Sequence, residues 1–400
     1  MLDTRASAAI ARLAESVLSV GPLVAALGGA VRVVPVAGDG SEPAGWSAAD
    51  QDAVAPLLHR LARGVGVGGL EPAADRPEGL QVFERVVSER LALADAAAAG
   101  RAARDLPADV DRIAAETAGA GFDAFFHKRV VRSFDGVPLQ TYSAGSGGQA
   151  VVFIPACGMP AALTETWLRH LARDRLVLTW ESRGLFGAFD GPAEHEVDCA
   201  AQAADLFAVL DHYGVPAAHV IGLCGGAVIG LAAAADRPER ISSLSLWHGA
   251  YEFGDGHGPK TRFHHDLVEL MAVAAQSRGA ARSVQNMICR MALSSAPAGL
   301  EHHVLYPYAN AELFYRYCRL NGTLARTDVE PYLGKVGQPV LVVTSEDDET
   351  AHPQGSTMVA RALPDARLLI APHGDHASLF RADEALIRVA ADFIEDGAGG

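Results

Sequence analysis

Ala218-His-Val-Ile-Gly222-Leu-Cys224-Gly225-Gly226-Ala-Val-Ile-Gly230 reads as a buried strand, Ala218 to Leu223, running through a Gly-x-Cys-x-Gly turn into a helix from Gly226 to Ala235. A side chain at the apex of so tight a strand-to-helix turn stands clear of the sheet in a strained backbone conformation. The positions two residues either side must be Gly, because a Cβ there would collide. The helix that follows offers unpaired N–H groups and the positive end of its dipole to an anion. For a cysteine the same dipole favours the reactive thiolate. A free Cys packed in an Ala/Gly-rich strand end is the plain alternative; the pattern on either side of the turn favours a nucleophile at Cys224.

Outward from this turn the chain alternates. Lys128–Phe134 and Val137–Ala144 flank Asp135-Gly136 as a hairpin. Short apolar strands are expected at Ala150–Pro155, Arg175–Trp180, Ile241–Trp247, Pro339–Thr344 and Ala366–Ile370, with helices at Thr164–Arg173, His195–Tyr213, Ser356–Leu363 and Glu384–Ile394. Apolar strands separated by amphipathic helices predict an α/β architecture, a mostly parallel sheet covered on both faces. Tyr251 to Leu333 interrupts the alternation with a helical pattern, and is expected as a cap over the carboxyl edge of the strands, where open α/β sheets bind ligands.

Residues 127–394 resemble the α/β-hydrolase superfamily, with Cys224 in the place usually held by serine and the order nucleophile, acid, histidine. The resemblance implies an acid after the strand that follows the cap. Val340-Leu-Val-Val-Thr344-Ser345-Glu346-Asp347-Asp348 matches that ending and puts it at Asp348, with Asp347 one residue away as the alternative. It implies the histidine at His376 in Leu368-Leu-Ile370-Ala-Pro-His373-Gly-Asp-His376, with His373 as the second choice. The backbone N–H groups of Gly225 and of Met159, in Ile154-Pro-Ala-Cys157-Gly158-Met159-Pro160, are the implied oxyanion donors. Cys157 stands where the family usually has His, and is assigned to packing. Trp180-Glu181-Ser182-Arg183-Gly184-Leu185-Phe186-Gly187 resembles the family's D-x-R-G-x-G loop, so Arg183 is expected to tie loops together with Glu181 as its partner.

The implied chemistry is acyl transfer: a Cys-His-Asp triad, a thioester acyl-enzyme and release to water or another nucleophile, as in dienelactone-hydrolase-like enzymes, esterases, thioesterases and acyltransferases. Two other functions use the same fold. One is a lyase, with His376 removing a proton and an acyl group such as acetate departing from a natural-product intermediate. The other is a non-catalytic binding module. Six of the eight tyrosines fall in the cap interval. Tyr251, Phe253, Tyr306, Tyr308 and Phe314 are candidates to line a pocket for a bulky apolar or polyketide-like acyl group, free or held on a carrier protein. The pairs His264-His265 and His302-His303 lack metal-ligand spacing, since neighbours on a helix point about 100° apart. Neither a metal nor a cofactor is expected.

The divisions expected are an N-terminal helical accessory domain (1–125), an α/β core (126–250 and 334–400) and the helical cap (251–333). Within the first, Ser47 with Asp50 opens a helix through Gln51–Arg63 that Pro56 threatens to kink. Longer helical patterns cover Glu78–Arg104 and Ala108–Ala118, after a loop at Gly64–Pro77. This domain carries no recognisable chemistry; dimerisation, pocket cover and carrier docking are its candidate roles. With 33 Lys+Arg against 48 Asp+Glu, a net charge of −15 disfavours nucleic-acid and anionic-membrane partners. Five scattered cysteines without a C-x-x-C pair suit a reducing cytoplasm. Val17–Val36 is apolar apart from Ser19 and Arg32, but it is broken by prolines and glycines and led by mixed charges. It is expected to be neither a secretory leader nor a span.

Overall fold

The computed structural model describes residues 2–36, 46–73, 79–187, 195–254, 256, 258–374, 376 and 378–398. It comprises two compact units, one of residues 1–125 with 298–310, the other of 126–297 with 311–400.

In the first unit, helix Thr4–Leu27 starts on an Asp3 cap and ends at Gly28 in the left-handed conformation. The apolar run from Val17 is thus the second half of a core helix, with Val17, Val20, Leu23 and Val24 buried. It is the one helix among the described residues long and apolar enough to cross a membrane, and 44% of its apolar window is buried inside the protein. Ser47 and Asp50 form a reciprocal capping box on helix Ala48–Gly64, which runs through Pro56 unbroken. Strands β1 (Val31–Val33) and β2 (Leu70–Pro72) pair in parallel. The long helix expected over Glu78–Arg104 is instead two, Val82–Arg90 and Ala96–Ala103. The chain turns out at Leu91 to bury Leu91 and Leu93, and Ser16 Oγ accepts the Ala92 N–H that the break sets free. Residues 74–78, which include part of the expected loop and that helix's expected start, lie outside the described residues. Helix Pro107–Ala120 follows.

The second unit is built on eight strands: β3 (His127–Arg132), β4 (Pro138–Ala144), β5 (Val151–Ile154), β6 (Val177–Trp180), β7 (Ala218–Leu223), β8 (Ile241–Trp247), β9 (Val340–Ser345) and β10 (Ala366–Ala371). Their order is β10-β9-β8-β7-β5-β6-β4-β3. The hairpin β3–β4 and the β4–β6 pair are antiparallel and every other pair is parallel. Strands β5 to β9 other than β8 are buried at every residue, and β8 at all but one, which is why they read as continuous apolar runs. The order turns back on itself at β5, so β5 and β7 open the crevice where such sheets hold their ligands. Of the cap interval, helices Arg262–Ala274, Arg278–Ser295 and Ala311–Leu324 belong to this unit, whereas 298–310 folds with the N-terminal one.

Candidate active site

Strand β7 ends at Leu223 and helix Gly225–Asp236 begins two residues later, leaving Cys224 alone at the bend with φ 52° and ψ −118°. Its N–H donates to Trp247 O (3.0 Å), pinning the turn to the end of β8. A Cβ on Gly222 would lie 2.4 Å from Gly226 O, and one on Gly226 2.7 Å from Ile154 O. The glycines are therefore a condition of the turn. Cys224 is the partly exposed member of the five cysteines; the others are buried. Burial and the nearby Cys224 push the Cys157 thiol far up, consistent with a packing role.

Asp348 leaves β9 three residues past the strand end, its side chain fully buried. Oδ1 accepts N–H bonds from Thr350 and Ala351, both 2.8 Å. Oδ2 faces two imidazoles, His376 Nδ1 at 3.1 Å and His248 Nδ1 at 2.8 Å. The Asp348 pKa is depressed: burial acts to raise it, but His376 and His248, by charge and hydrogen bonding, prevail. An ionised carboxylate only accepts, so both rings carry their proton on Nδ1. His376 in turn hydrogen-bonds Cys224. Burial alone would lower its pKa, but the neighbouring Cys224 and then Asp348 hold it well above the usual imidazole value. The structure thus brings Cys224, His376 and Asp348 together. Asp347 and His373 instead meet each other at 3.1 Å, both largely exposed, outside this cluster.

Other expectations fare differently. Gly225 is the first residue of its helix, where helix geometry supplies no partner for the N–H. Met159, expected as the second oxyanion donor, has its N–H on Ala156 O (3.1 Å), closing a local turn, and the Gly158 N–H goes to Ser182 Oγ (2.9 Å). Glu181 is not the partner of Arg183. It accepts from the Ala161 N–H, while Arg183, its side chain 1% exposed, binds Asp205 (2.8 Å), Asp135 (3.0 Å), Ser133 Oγ and Glu196 O. The role of Arg183 in tying loops together stands, with two different carboxylates.

Of the expected pocket aromatics, all five are buried. Tyr306 and Tyr308 fold with the N-terminal unit; Phe314 is sealed within helix Ala311–Leu324. Tyr251 is distinct: its buried hydroxyl has no hydrogen-bond partner, and burial, then the nearby Cys224, raise its pKa. Its ring occupies the space where a Gly249 side chain would be, a Cβ there falling 2.1 Å from Tyr251 Cζ.

Ligand atoms of His248, Asp348 and His376 lie within 4.8 Å of one another, the separation a metal ion would need. Here they are directed at each other through hydrogen bonds. The His302 and His303 ring centroids lie 4.0 Å apart with the planes tilted by 38°, and His302 Nε2 meets Ser19 Oγ at 2.6 Å.

His248 is the participant that the sequence reading passed over. The only signal was its position, directly beyond an apolar strand at the carboxyl edge of the sheet.

Comparison with known proteins bears on the fold. A family model described as TAP-like protein matches residues 306–399. Two bacterial relatives are named "Putative carbamate hydrolase RutD". That of Variovorax paradoxus is 26% identical over 63% of this chain and 90% of its own length; that of Pseudomonas savastanoi is 27% identical over 64% and 93%. Among solved structures, an esterase from Exiguobacterium antarcticum superposes with a TM-score of 0.57 (16% identity, 67% of this chain, all of that one). The enol-lactonase of Burkholderia xenovorans superposes with a TM-score of 0.55 (18% identity, 67% and 100%). This is an α/β-hydrolase fold. The share of the chain left uncovered, about a third, is consistent with the extra helical unit at its N-terminus.

Proposed function

We propose that this α/β-hydrolase cleaves or transfers an acyl group from a small-molecule ester, thioester or carbamate, with Cys224 as nucleophile. The observation that carries the reading is Cys224 held at positive φ on a helix N-terminus, hydrogen-bonded to an imidazole that a buried carboxylate orients. The esterase and carbamate hydrolase names among the similar proteins point to the same class of bond.

In this reading Cys224 Sγ, having given its proton to His376 Nε2, attacks the acyl carbon. Negative charge gathers on the carbonyl oxygen, within reach of the Gly225 N–H and the helix dipole, a preorganised donor worth about 3 kcal/mol of barrier. The carbon–heteroatom bond breaks and the leaving group takes the proton from His376. Water, deprotonated by the same imidazole, then splits the thioester and the proton returns to sulfur. The elevated His376 pKa suits the first step, since a thiolate needs a neighbouring cation that persists at neutral pH.

The test is intact mass after brief incubation with p-nitrophenyl esters. An acyl adduct present in the parent chain and abolished in Cys224→Ala supports the reading. Product without adduct, still lost in His376→Gln, would replace it with a lyase; ligand binding without turnover would replace it with a binding module.

Tyr251 is the pocket residue this reading singles out, its hydroxyl awaiting an acceptor on the substrate. Tyr251→Phe is expected to raise KM about five- to tenfold, the value of one hydrogen bond. Its melting temperature should hold or rise, because no protein partner is lost. Steady-state kinetics beside thermal denaturation checks both.

A further inference from the structure

The carboxylate that orients His376 is shared, and the second ring is the better placed of the two. His248 lies one residue past β8, and its N–H donates to Val343 O (2.9 Å), extending the β8–β9 ladder beyond the strand. Asp348 leaves the carboxyl end of that same neighbour, β9, so the two side chains emerge side by side. His248 is buried, adopts φ 47°, a conformation non-glycine residues seldom take, and turns Nδ1 onto Oδ2 at 2.8 Å, against 3.1 Å for His376. The rings stand 76° apart with centroids 5.6 Å from each other.

We propose that His248 is a positioning residue that shares Asp348 Oδ2 with His376 and thereby limits how strongly the carboxylate holds the catalytic imidazole. Two N–H donors on one oxygen divide its basicity. With Oδ1 already taken by two backbone N–H groups, Asp348 cannot turn to serve the rings separately. The carboxylate is thereby fixed as the orienter of His376 and restrained from stabilising the imidazolium so far that it would be slow to release its proton to a leaving group. Backbone strain held at this position is consistent with a functional constraint.

Among the described residues, few charged or titratable groups surround the cluster, and Tyr251, beside Cys224, is one of them. Cys224 faces His376 from the turn after β7. His264, on helix Arg262–Ala274, is held neutral, its pKa pushed down to about 4 by burial and by Lys260. Lys260 is itself paired with Glu252 at 2.5 Å. None of these is bonded to Oδ2, so removing the His248 donor alters the carboxylate first.

The proposal rests on His376 being the catalytic base, and its test is read without turnover. The titration midpoint of the His376 imidazole is followed by NMR in histidine-labelled protein, the signal assigned by its loss in His376→Gln. In His248→Phe, Asp348 keeps a single imidazole donor and the midpoint is expected to move up by about half a pH unit or more. His248→Asn carries an N–H near the Nδ1 position and tolerates the left-handed backbone, and it should return the midpoint to within about 0.2 of the parent value. If the phenylalanine variant does not fold, His248→Gly relieves the strain while removing the donor, and must shift the midpoint the same way. An unmoved or lowered midpoint in the donor-less variants, or an asparagine variant displaced as far as they are, overturns the proposal. Either result is independent of whether the Cys224 adduct forms.

Discussion

Asp348→Asn is expected to lower kcat/KM about 10⁴-fold, some 5 kcal/mol of transition-state stabilisation, while the chain stays folded. The reason lies in what surrounds the two oxygens. The N–H groups of Thr350 and Ala351 both point at Oδ1 and can accept nothing, so an amide there must present its oxygen to them. Its NH₂ group then takes the Oδ2 position and meets the Nδ1 atoms of His376 and His248. Each ring answers by moving its proton to Nε2. For His376 that places an N–H, rather than a lone pair, toward Cys224, and the imidazole can no longer take the thiol proton. Kinetics with a p-nitrophenyl ester alongside thermal denaturation reads both halves; activity within tenfold of the parent chain would refute the assignment of Asp348.

The second large effect concerns stability. Arg183→Leu is expected to cost about 3–5 kcal/mol, because it leaves Asp205, itself 1% exposed, buried without its counter-charge. Even beside Arg183, burial raises the Asp205 pKa, which shows how unfavourable its environment is for a bare carboxylate. Asp135 and Ser133 after the β3 strand, and the Glu196 carbonyl ahead of helix Cys199–His212, lose the guanidinium that joins them. The melting transition should fall by about 10 °C. The double variant Arg183→Leu/Asp205→Leu should recover much of that loss, since the carboxylate left unpaired is then Asp135, whose side chain reaches solvent (19% exposed), and not the sealed Asp205. A single variant as stable as the parent would show that the cluster does not hold these loops.

How far the sequence revealed this site depends on the scale at which each feature is determined. The strands were legible because burial on both faces leaves no polar alternation, and the turn at Cys224 because steric demands on Gly222 and Gly226 are local. The pairing of Asp348 with His376 comes from the resemblance to the α/β-hydrolase superfamily, and the structure brings the two together because both follow parallel strands that end at one edge of the sheet. The choice between Asp347 and Asp348 depends on which of two adjacent side chains points inward, and no local pattern carries that. His248 was invisible for a similar reason: its partner lies 100 residues on. The Arg183 partners come from β3–β4 and helix Cys199–His212 rather than from its own loop, and the Met159 N–H is engaged by a turn that backbone geometry alone decides. The division of Glu78–Arg104 into two helices reflects a hydroxyl on a distant helix, at Ser16, accepting the Ala92 N–H where the chain leaves the helix.

The assignment of residues 298–310 to the N-terminal unit has a consequence for dissection. The polypeptide passes between the two units three times, after 125, after 297 and after 310. Deleting the first 125 residues would therefore not release the second unit alone. It would strand a hydrophobic peptide, bearing Leu305, Tyr306 and Tyr308, whose burial is supplied by the deleted portion, as well as the His302 ring now capped by Ser19. The N-terminal helices and residues 298–310 form one unit drawn from two separate stretches of the chain, so a cut after residue 125 divides that unit.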